Sequence, residues 1–421
     1  MALARSSSRQ CSSCMSTHRQ PLAAGRIPEL DGLRGIAILI VVVWHYGICQ
    51  ILQFPVTGTL LKTPLGLGWS GVDLFFVLSG FLIGGILIDH RGSPSFFKTF
   101  YIRRSCRILP LYFVMVGLLA VAVWLGWNTV PRLEWLFAKP HPVLSYATFT
   151  QTAPMIGTAE FGPHWLAVSW SLAIEEHFYL VLPLLICFCR PQSLPYLLGG
   201  LILLAPALRL FFNLVLSEYS HAGFLLMPCR ADSLALGVLV AWGVRRPAIV
   251  ESLRANAKGL HWVLAVFAAG VVVLGLTGRK FSSPVMALFG YSWLAGFYCL
   301  LLLISLHHPV GWIAGICRLR ALQWVGVISY GVYLFHQAIS GLCHITLRGA
   351  PPAITDLPSA GITLLAFVIT LALARLSFGF FEKPILAFGH RFNYETAIQE
   401  EPVTAAAPAP AVPSPAVNGP A

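Results

Sequence analysis

The sequence contains a series of apolar runs, each about as long as a helix that crosses a bilayer. A hydrocarbon core about 30 Å thick needs roughly 20 apolar residues in a helix. Only 10% of the 421 residues are charged, whereas soluble domains carry about 25%. Ten such runs occur, at about 35–53, 70–89, 108–127, 166–189, 195–216, 226–244, 260–277, 284–306, 321–347 and 359–381. The sequence therefore predicts an all-α, polytopic integral membrane protein with about ten transmembrane helices.

The excess of basic residues follows the predicted spans and does not mark a nucleic-acid-binding domain. The chain has 28 Lys and Arg against 16 Asp and Glu, a net charge of +12. With a cytoplasmic N-terminus, 19 of these 28 basic residues fall in inside segments and seven in outside segments. Cytoplasmic loops are enriched in Lys and Arg. The count predicts a multi-pass protein of the cytoplasmic (inner) membrane with both termini in the cytoplasm and no nucleic-acid partner.

The two ends of the chain differ in composition from the apolar part. Residues 1–26 are basic and Ser-rich, without the apolar core of a cleaved signal peptide, and are predicted to form a cytoplasmic tail. Residues 389–421 are predicted to form a second cytoplasmic tail, rich in Pro and Ala and disordered from about 402. The single CxxC motif of the N-terminal tail has no second pair at zinc spacing, so no metal site is predicted. The function is expected within residues 27–388.

Ionisable residues inside the apolar runs are the first candidates for function, because such residues are costly in a membrane. Arg34 begins the first run and His45 follows eleven residues later. Eleven helical residues return to nearly the same face and rise about 16 Å. Arg34 is therefore expected at the cytoplasmic mouth and His45 near mid-membrane. The alternative for His45 is a neutral histidine that is hydrogen-bonded between helices.

A basic pair lies at the predicted cytoplasmic boundary before the third run. Arg104 and Arg107 are three residues apart, on one helical face. Guanidinium groups bind phosphate through paired hydrogen bonds, which favours an anionic cofactor at this boundary. A cluster that serves only to orient the protein in the membrane is the alternative.

The fourth run contains two adjacent carboxylates, Glu175 and Glu176, one-third to one-half of the way across the bilayer. Packing does not account for two carboxylates at this depth. Adjacent helical positions diverge by about 100°. One carboxylate is therefore expected to face the reaction centre while the other is paired elsewhere.

Several further residues are supporting candidates. Asp73, near the outer end of the second run, either caps the helix or has a functional role. Tyr330, Tyr333 and His336 lie along one side of the ninth run, where they form either support for the site or a packing network.

Other residues are interpreted as structural. Ser79 and Gly80 are small residues of the kind that let membrane helices pack closely. Arg230 and Asp232 are expected to form a local ion pair or a loop brace.

Taken together, these motifs resemble membrane-bound acyltransferase family 3, which includes O-acetyltransferases of bacterial polysaccharides, lipopolysaccharide and lipo-oligosaccharide signals. The resemblance covers about residues 27–388, and six short motifs in the family's order make it specific. The motifs are 30–35 with His45 at the family's R-x10-H spacing, 71–83, the R-x-x-R from Arg104 to Arg107, 169–172 with Glu175 and Glu176, Ser329 and Tyr330 with Tyr333 and His336, and 381–384.

The resemblance implies an enzyme that moves an acyl group, usually acetyl, from cytoplasmic acyl-CoA to a hydroxyl of a glycan, lipid-linked or secreted acceptor. The implied site residues are His45 and Glu175 for catalysis and Arg34, Arg104 and Arg107 for binding acyl-CoA. Asp31, in the first motif, is a further candidate for catalysis. Some members carry a C-terminal esterase-like domain where this sequence has a Pro/Ala tail. Whether a separate protein completes the transfer outside stays open.

The expected mechanism combines the two groups of residues. The three arginines hold the CoA phosphates, and the pantetheine arm runs along the first span to place the thioester near His45. A neutral imidazole suits the task of taking the hydroxyl proton. Glu175 is expected to orient or charge-balance His45, as a carboxylate does in hydrolase triads. Direct transfer and transfer through an acyl-histidine are both compatible with the sequence.

Two other functions and several details are left open by the sequence. Buried Asp, Glu and His would suit the proton relay of a transporter or flippase, and an acyltransferase-like protein without catalysis would act as a binding partner. The aromatic residues of the outer loop 128–165 would suit either a sugar or the membrane interface. The acceptor, the acyl chain length and a homo-oligomeric state are not fixed.

Overall fold

The structure, a computed structural model, describes residues 27–51, 66–277, 281–308 and 310–395, which form helices and connecting loops without any strand. The predicted tails at 1–26 and beyond 395, with the CxxC motif, lie outside the described residues. Within these residues, nine helices are long and apolar enough to cross a membrane, or ten if one bent pair is a single span. The prediction of an all-α polytopic membrane protein is confirmed.

The membrane helices are labelled α1 to α11 in chain order. They are α1 Pro28–Ile51, α2 Gly68–Asp89, α3 Phe96–Trp124, α4 Ser169–Phe188, α5 Leu194–Leu214, α6 Ala222–Gly243, α7 Ala257–Leu276, α8 Met286–His307, α9 Arg320–Val327, α10 Ser329–Arg348 and α11 Leu357–Gly389. The ninth predicted span is the bent pair, because α9 and α10 meet at an angle of 75°. Helix α3 begins at Phe96, earlier than the apolar run, and therefore carries Arg104 and Arg107 on the same helix.

The long connection between α3 and α4 is not a simple loop. It contains the short helices Glu134–Phe137, Val143–Ala147 and Thr152–Thr158. This segment packs against the bundle, because Arg132 donates to the carbonyl of Ile345 on α10 at 2.9 Å and Trp165 donates to that of Met115 on α3 at 3.0 Å.

The two ends of the bundle are tied by different ion pairs. At one end, which we call the basic end, Arg245 after α6 contacts Asp89 of α2 at 2.7 and 2.5 Å. At the opposite end, Arg348 of α10 contacts Asp356 before α11 at 2.9 and 3.0 Å. Helices α1, α3 and α10 begin at the basic end, whereas α4 and α6 begin at the opposite end.

Close packing of α2 on α6 depends on two glycines. A Cβ atom on Gly80 would lie 2.0 Å from the carbonyl oxygen of Leu234, and one on Gly237 would lie 2.1 Å from that of Val77. Small residues let membrane helices approach to backbone contact in this way. The packing role predicted for Gly80 is confirmed.

Two buried ion pairs hold the same region together, and they correct one prediction. Arg230 on α6 pairs with Asp73 on α2, and Asp232 pairs with Arg209 on α5 at 2.9 Å. All four side chains are fully buried. The predicted local pair between Arg230 and Asp232 is wrong, because residues two apart on a helix do not face each other. Asp73 accordingly ties helices together and does not cap one.

Breaking one of these pairs should strongly destabilise the fold. Replacing Asp73 with Asn leaves the buried Arg230 charge without its counter-ion, and such a change costs about 3–5 kcal/mol. Thermal unfolding in detergent should show a clearly lower midpoint for this variant. Glu160→Gln, which breaks the exposed pair with Lys139, should leave the midpoint nearly unchanged. Equal midpoints for the two variants would contradict the structural role of Asp73.

Candidate active site

Two neighbouring cavities lie between the helices. The basic cavity, of about 140 Å³, is lined by α1, α2, α3, α4 and α10, and its polar residues include Arg34, Arg104, Arg107, Glu175, Tyr179 and Tyr330. The aromatic cavity, of about 540 Å³, is lined by α1, α10 and the α3–α4 connection among others, and it contains His45. Val72 and Tyr333 line both cavities. The two spaces are therefore adjacent, with Arg34 in one and His45 in the other.

The guanidinium groups of the basic cavity have few protein partners among the described residues. The Arg104 guanidinium lies over the Tyr179 ring, 4.1 Å from its centroid, and that of Arg107 lies 5.9 Å from the Tyr330 centroid. Within the described residues, neither arginine has an ion pair, and the buried Nε atom of Arg104 has no hydrogen-bond partner. Arg34 contacts Asp31 through one nitrogen at 3.3 Å. Three guanidinium groups with so few partners suit the binding of a multiply charged anion.

Glu175 belongs to the basic cavity, which corrects its predicted pairing with His45. The Tyr179 hydroxyl donates to Glu175 at 3.0 Å, and the Ser79 hydroxyl contacts that of Tyr179. Glu175 therefore fixes the ring on which Arg104 lies. Ser79, predicted as a packing residue, is part of the same chain of contacts. Glu176 has one buried carboxylate oxygen without a partner among the described residues.

His45 is paired with another histidine. It lies in a π-helical turn, Trp44–Ile48, a distortion that is frequent at functional sites. The Nδ1 atom of His45 lies 2.9 Å from the Val41 carbonyl oxygen and 3.2 Å from Nε2 of His336. The Nδ1 atom of His336 lies 2.7 Å from the Tyr333 carbonyl oxygen.

These contacts fix which nitrogen of each neutral ring carries the proton. A carbonyl oxygen only accepts, so both Nδ1 atoms must donate. The Nε2 atom of His336 then accepts from Nδ1 of His45. In the neutral His45 ring, Nε2 is left with its lone pair in a residue that lines the aromatic cavity. His45 is thereby prepared to accept a proton at Nε2.

Neighbouring hydroxyl groups hold this arrangement. The Tyr46 hydroxyl donates to the carbonyl of His336 at 2.5 Å and contacts the Thr370 hydroxyl of α11 at 2.9 Å. Tyr333 donates to the Val168 carbonyl at 2.9 Å, and its oxygen contacts the Ser171 hydroxyl at 2.6 Å. Since Tyr333 lines both cavities, its hydroxyl ties α10 to α4 at the boundary between them.

The sequence matches the family model described as an acyltransferase domain over residues 27–377. This match covers most of the chain. The chain belongs to the acyltransferase 3 family. The resemblance inferred from the short motifs is thereby confirmed, and so is the multi-pass membrane character of the protein.

Relatives of this acyltransferase 3 family protein include named O-acetyltransferases. It is 28% identical to the peptidoglycan O-acetyltransferase OatA of Listeria monocytogenes, over 87% of this chain and 57% of OatA. It is 27% identical to the Bacillus subtilis protein YrhL, provisionally named a peptidoglycan O-acetyltransferase, over 87% of this chain and 56% of YrhL. The chain spans somewhat more than half the length of these relatives. No solved structure matches it.

Asp31, which was predicted to take part in catalysis, lies away from His45. Asp31 contacts Arg34 near the start of α1, fourteen residues before His45, which corresponds to about 21 Å along a helix. Asp31 therefore acts on Arg34 at the basic cavity and is too distant for the predicted role in the chemistry at His45.

Sequence reasoning gave no role to two polar residues of the aromatic cavity. His164 was only one of the aromatic residues of the outer loop, and Gln337 was not singled out, although both line the cavity beside His45. The one available signal for Gln337 was its position directly after His336 on a polar stripe of α10.

Proposed function

We propose that this protein transfers an acyl group, most simply acetyl, from cytoplasmic acyl-CoA to a hydroxyl group of an acceptor. The observation that carries the proposal is the pairing of an arginine-lined cavity with a neighbouring cavity that holds an accepting histidine nitrogen. The names of the relatives support O-acetyl transfer as the reaction type. The excess of Lys and Arg supports the placement of the basic end at the cytoplasmic face.

The donor enters at the basic end. Arg34, Arg104 and Arg107 bind its phosphates, and the pantetheine arm follows α1 past Tyr333. Arg34 and His45 are eleven residues apart on α1, a rise of about 16 Å. An extended arm thus brings the thioester to the histidine pair, while Asp31 and Glu175 position the arginines.

His45 then acts as the general base. Its Nε2 atom takes the proton of the acceptor hydroxyl as the hydroxyl oxygen attacks the thioester carbonyl. The C–S bond breaks, and the departing thiolate takes a proton from the imidazolium to give free CoA. The Nδ1–H group of His45, held by Val41 and His336, keeps its hydrogen bonds throughout. A transient acyl group on Nε2 is compatible with the same geometry.

The proposal is tested by incubating the purified protein with acetyl-CoA and an extract of cell-envelope glycans, and by measuring free thiol and acetylated product together. Thiol release that depends on the extract and matches the acetyl found on it is the expected result. A transporter or flippase would instead move substrate across vesicles without acetyl-CoA. Transport without any thiol release would overturn the proposal.

His336 should contribute to the rate without binding the donor. His336→Leu removes the acceptor of one hydrogen bond from His45, a loss of about 1–3 kcal/mol for a buried group. This predicts a kcat about tenfold to hundredfold lower, with KM for acetyl-CoA unchanged. The matched control is His344→Leu on the same helix, where the lost bond is to Thr363 and kcat should be retained. Equal effects of both variants would assign His336 a packing role only.

A further inference from the structure

We propose that the aromatic cavity binds an uncharged, ring-shaped part of the acceptor and that Gln337 and His164 accept hydrogen bonds from its hydroxyl groups. This inference rests on the proposed function, because it concerns the acceptor of the same reaction. It goes further in that it assigns the charge of the bound group and two residues that select it.

The described part of the aromatic cavity wall is uncharged. Among the described residues that line the aromatic cavity, none is Asp, Glu, Lys or Arg. A carboxylate, phosphate or ammonium group placed there would lose its hydration without gaining a counter-charge. The basic cavity, with its three arginines, is the opposite case. A neutral part of the acceptor therefore fits the described wall beside His45.

Aromatic rings form much of the cavity wall. Four tryptophans and several phenylalanines line the cavity. Trp135 is stacked on His164 with ring centroids 4.1 Å apart, and Trp170 lies 4.1 Å from Phe224. Broad aromatic faces of this kind bury the apolar faces of rings, while their polar edges remain available. A saturated ring with hydroxyl groups at its edge fits such a wall.

Three hydrogen-bond acceptor atoms belong to residues that line the aromatic cavity. The Nδ1 atom of His164 contacts the Trp135 carbonyl oxygen at 2.9 Å and must donate, so Nε2 is the acceptor. The Oε1 atom of Gln337 is buried and has no partner among the described residues. The Nε2 atom of His45 is a third acceptor. A ligand that satisfies these atoms must bring donors, and hydroxyl groups are donors without charge.

Gln50 also lines the aromatic cavity, but its side-chain amide has protein partners at both polar atoms. Its nitrogen donates to Ser340 at 3.0 Å, and its oxygen accepts from Thr363 at 3.0 Å. Gln50 is thus occupied by α10 and α11 and has a structural role. Gln337 lies four residues after Tyr333 on the same face of α10, and within the described ranges its Oε1 atom has no such partner.

The experiment is a titration of the intrinsic tryptophan fluorescence of the full-length protein in detergent, without acetyl-CoA. The probes are a neutral trimer of N-acetylglucosamine and a trimer of galacturonic acid. We expect saturable quenching by the neutral trimer and at least tenfold weaker binding of the acidic trimer. Gln337→Leu and His164→Phe should each weaken binding of the neutral trimer about tenfold. Gln323→Leu, a matched change on α9 outside the cavity, should have no effect.

The outcomes separate this inference from the proposed function. Binding of the acidic trimer as tight as that of the neutral one, no saturable binding of either trimer, or full affinity in both cavity variants would overturn the inference. Binding of acetyl-CoA is measured on the same samples and should be unchanged by Gln337→Leu. If the neutral trimer binds as expected while acetyl-CoA neither binds nor releases thiol, the proposed reaction fails and the sugar-binding site stands.

Discussion

Replacing His45 with alanine is expected to lower the rate of acyl transfer by about 10²- to 10⁴-fold, the contribution of a well-placed general base. The expectation rests on the proton positions in the histidine pair. Nδ1 of His45 donates to Val41 and His336, so Nε2 is the atom that can take the hydroxyl proton. Alanine removes this atom, and His336 is not among the residues that line the aromatic cavity.

The measurement is free-thiol release from acetyl-CoA in the presence of acceptor, together with equilibrium binding of acetyl-CoA. Binding should be close to that of the native protein, because the phosphates are held in the basic cavity and not at His45. His344→Ala, a histidine of α10 that contacts Thr363, is the control for the loss of a buried imidazole. Thiol release at the native rate in His45→Ala would remove this residue from the chemistry.

The native protein also distinguishes direct transfer from transfer through an acyl-histidine. If His45 carries the acyl group, acetyl-CoA without acceptor should leave an acetyl group on this residue, which peptide mass spectrometry detects after rapid acid quenching. Direct transfer predicts an unmodified His45 under these conditions. The proton positions described above serve both routes, since each needs a free lone pair on Nε2.

The sequence predicted relationships within a helix better than relationships between helices. The expectation that Arg34 and His45 lie along one side of α1 rests on helical rise and rotation per residue, which are nearly constant. The spans followed from the length of the apolar runs. Both kinds of prediction need only one segment of the chain at a time.

Contacts between helices were predicted only in part, for a physical reason. His45 and His336 are 291 residues apart; both were expected near mid-depth, but neither apolar run specifies which faces of α1 and α10 meet. Glu175 was assigned to His45 by the family resemblance and by analogy with hydrolase triads, but α4 begins at the opposite end and brings Glu175 to the Tyr179 ring on which Arg104 lies. In a membrane, small residues and interhelical hydrogen bonds decide which faces meet, and single-helix patterns do not reveal them.

The second large effect is expected at Arg104. Replacing it with alanine should weaken binding of acetyl-CoA about tenfold to hundredfold, because a hydrogen bond to a charged group contributes about 1.5–3 kcal/mol. The buried Nε atom of Arg104 has no partner among the described residues, and the printed contact that its removal breaks there is the one with the Tyr179 ring. The loss should therefore appear chiefly in donor binding, with a smaller effect on stability. Isothermal titration with acetyl-CoA and thermal unfolding measure the two quantities.

Arg103 provides a matched control one residue away. It donates to the Phe392 carbonyl at 2.8 Å and to Asn393 at 3.0 Å, outside the basic cavity. Arg103→Ala removes the same charge from the same turn of α3, so it should lower affinity only slightly and only at low salt. Equal losses in the two variants would mean that the cluster acts through its general field or its effect on membrane orientation.

A truncated donor tests whether the binding free energy lost in Arg104→Ala comes from contacts with the phosphates of CoA. Acetyl-pantetheine lacks the nucleotide and its phosphates but keeps the thioester and the arm. The native protein and Arg104→Ala should bind it equally weakly, and both should release its thiol at the same slow rate. A loss for the truncated donor as large as for acetyl-CoA would place Arg104 at the arm or the thioester. With no such loss, the arginine and the phosphates act as one unit, and the basic cavity is where the donor is recognised.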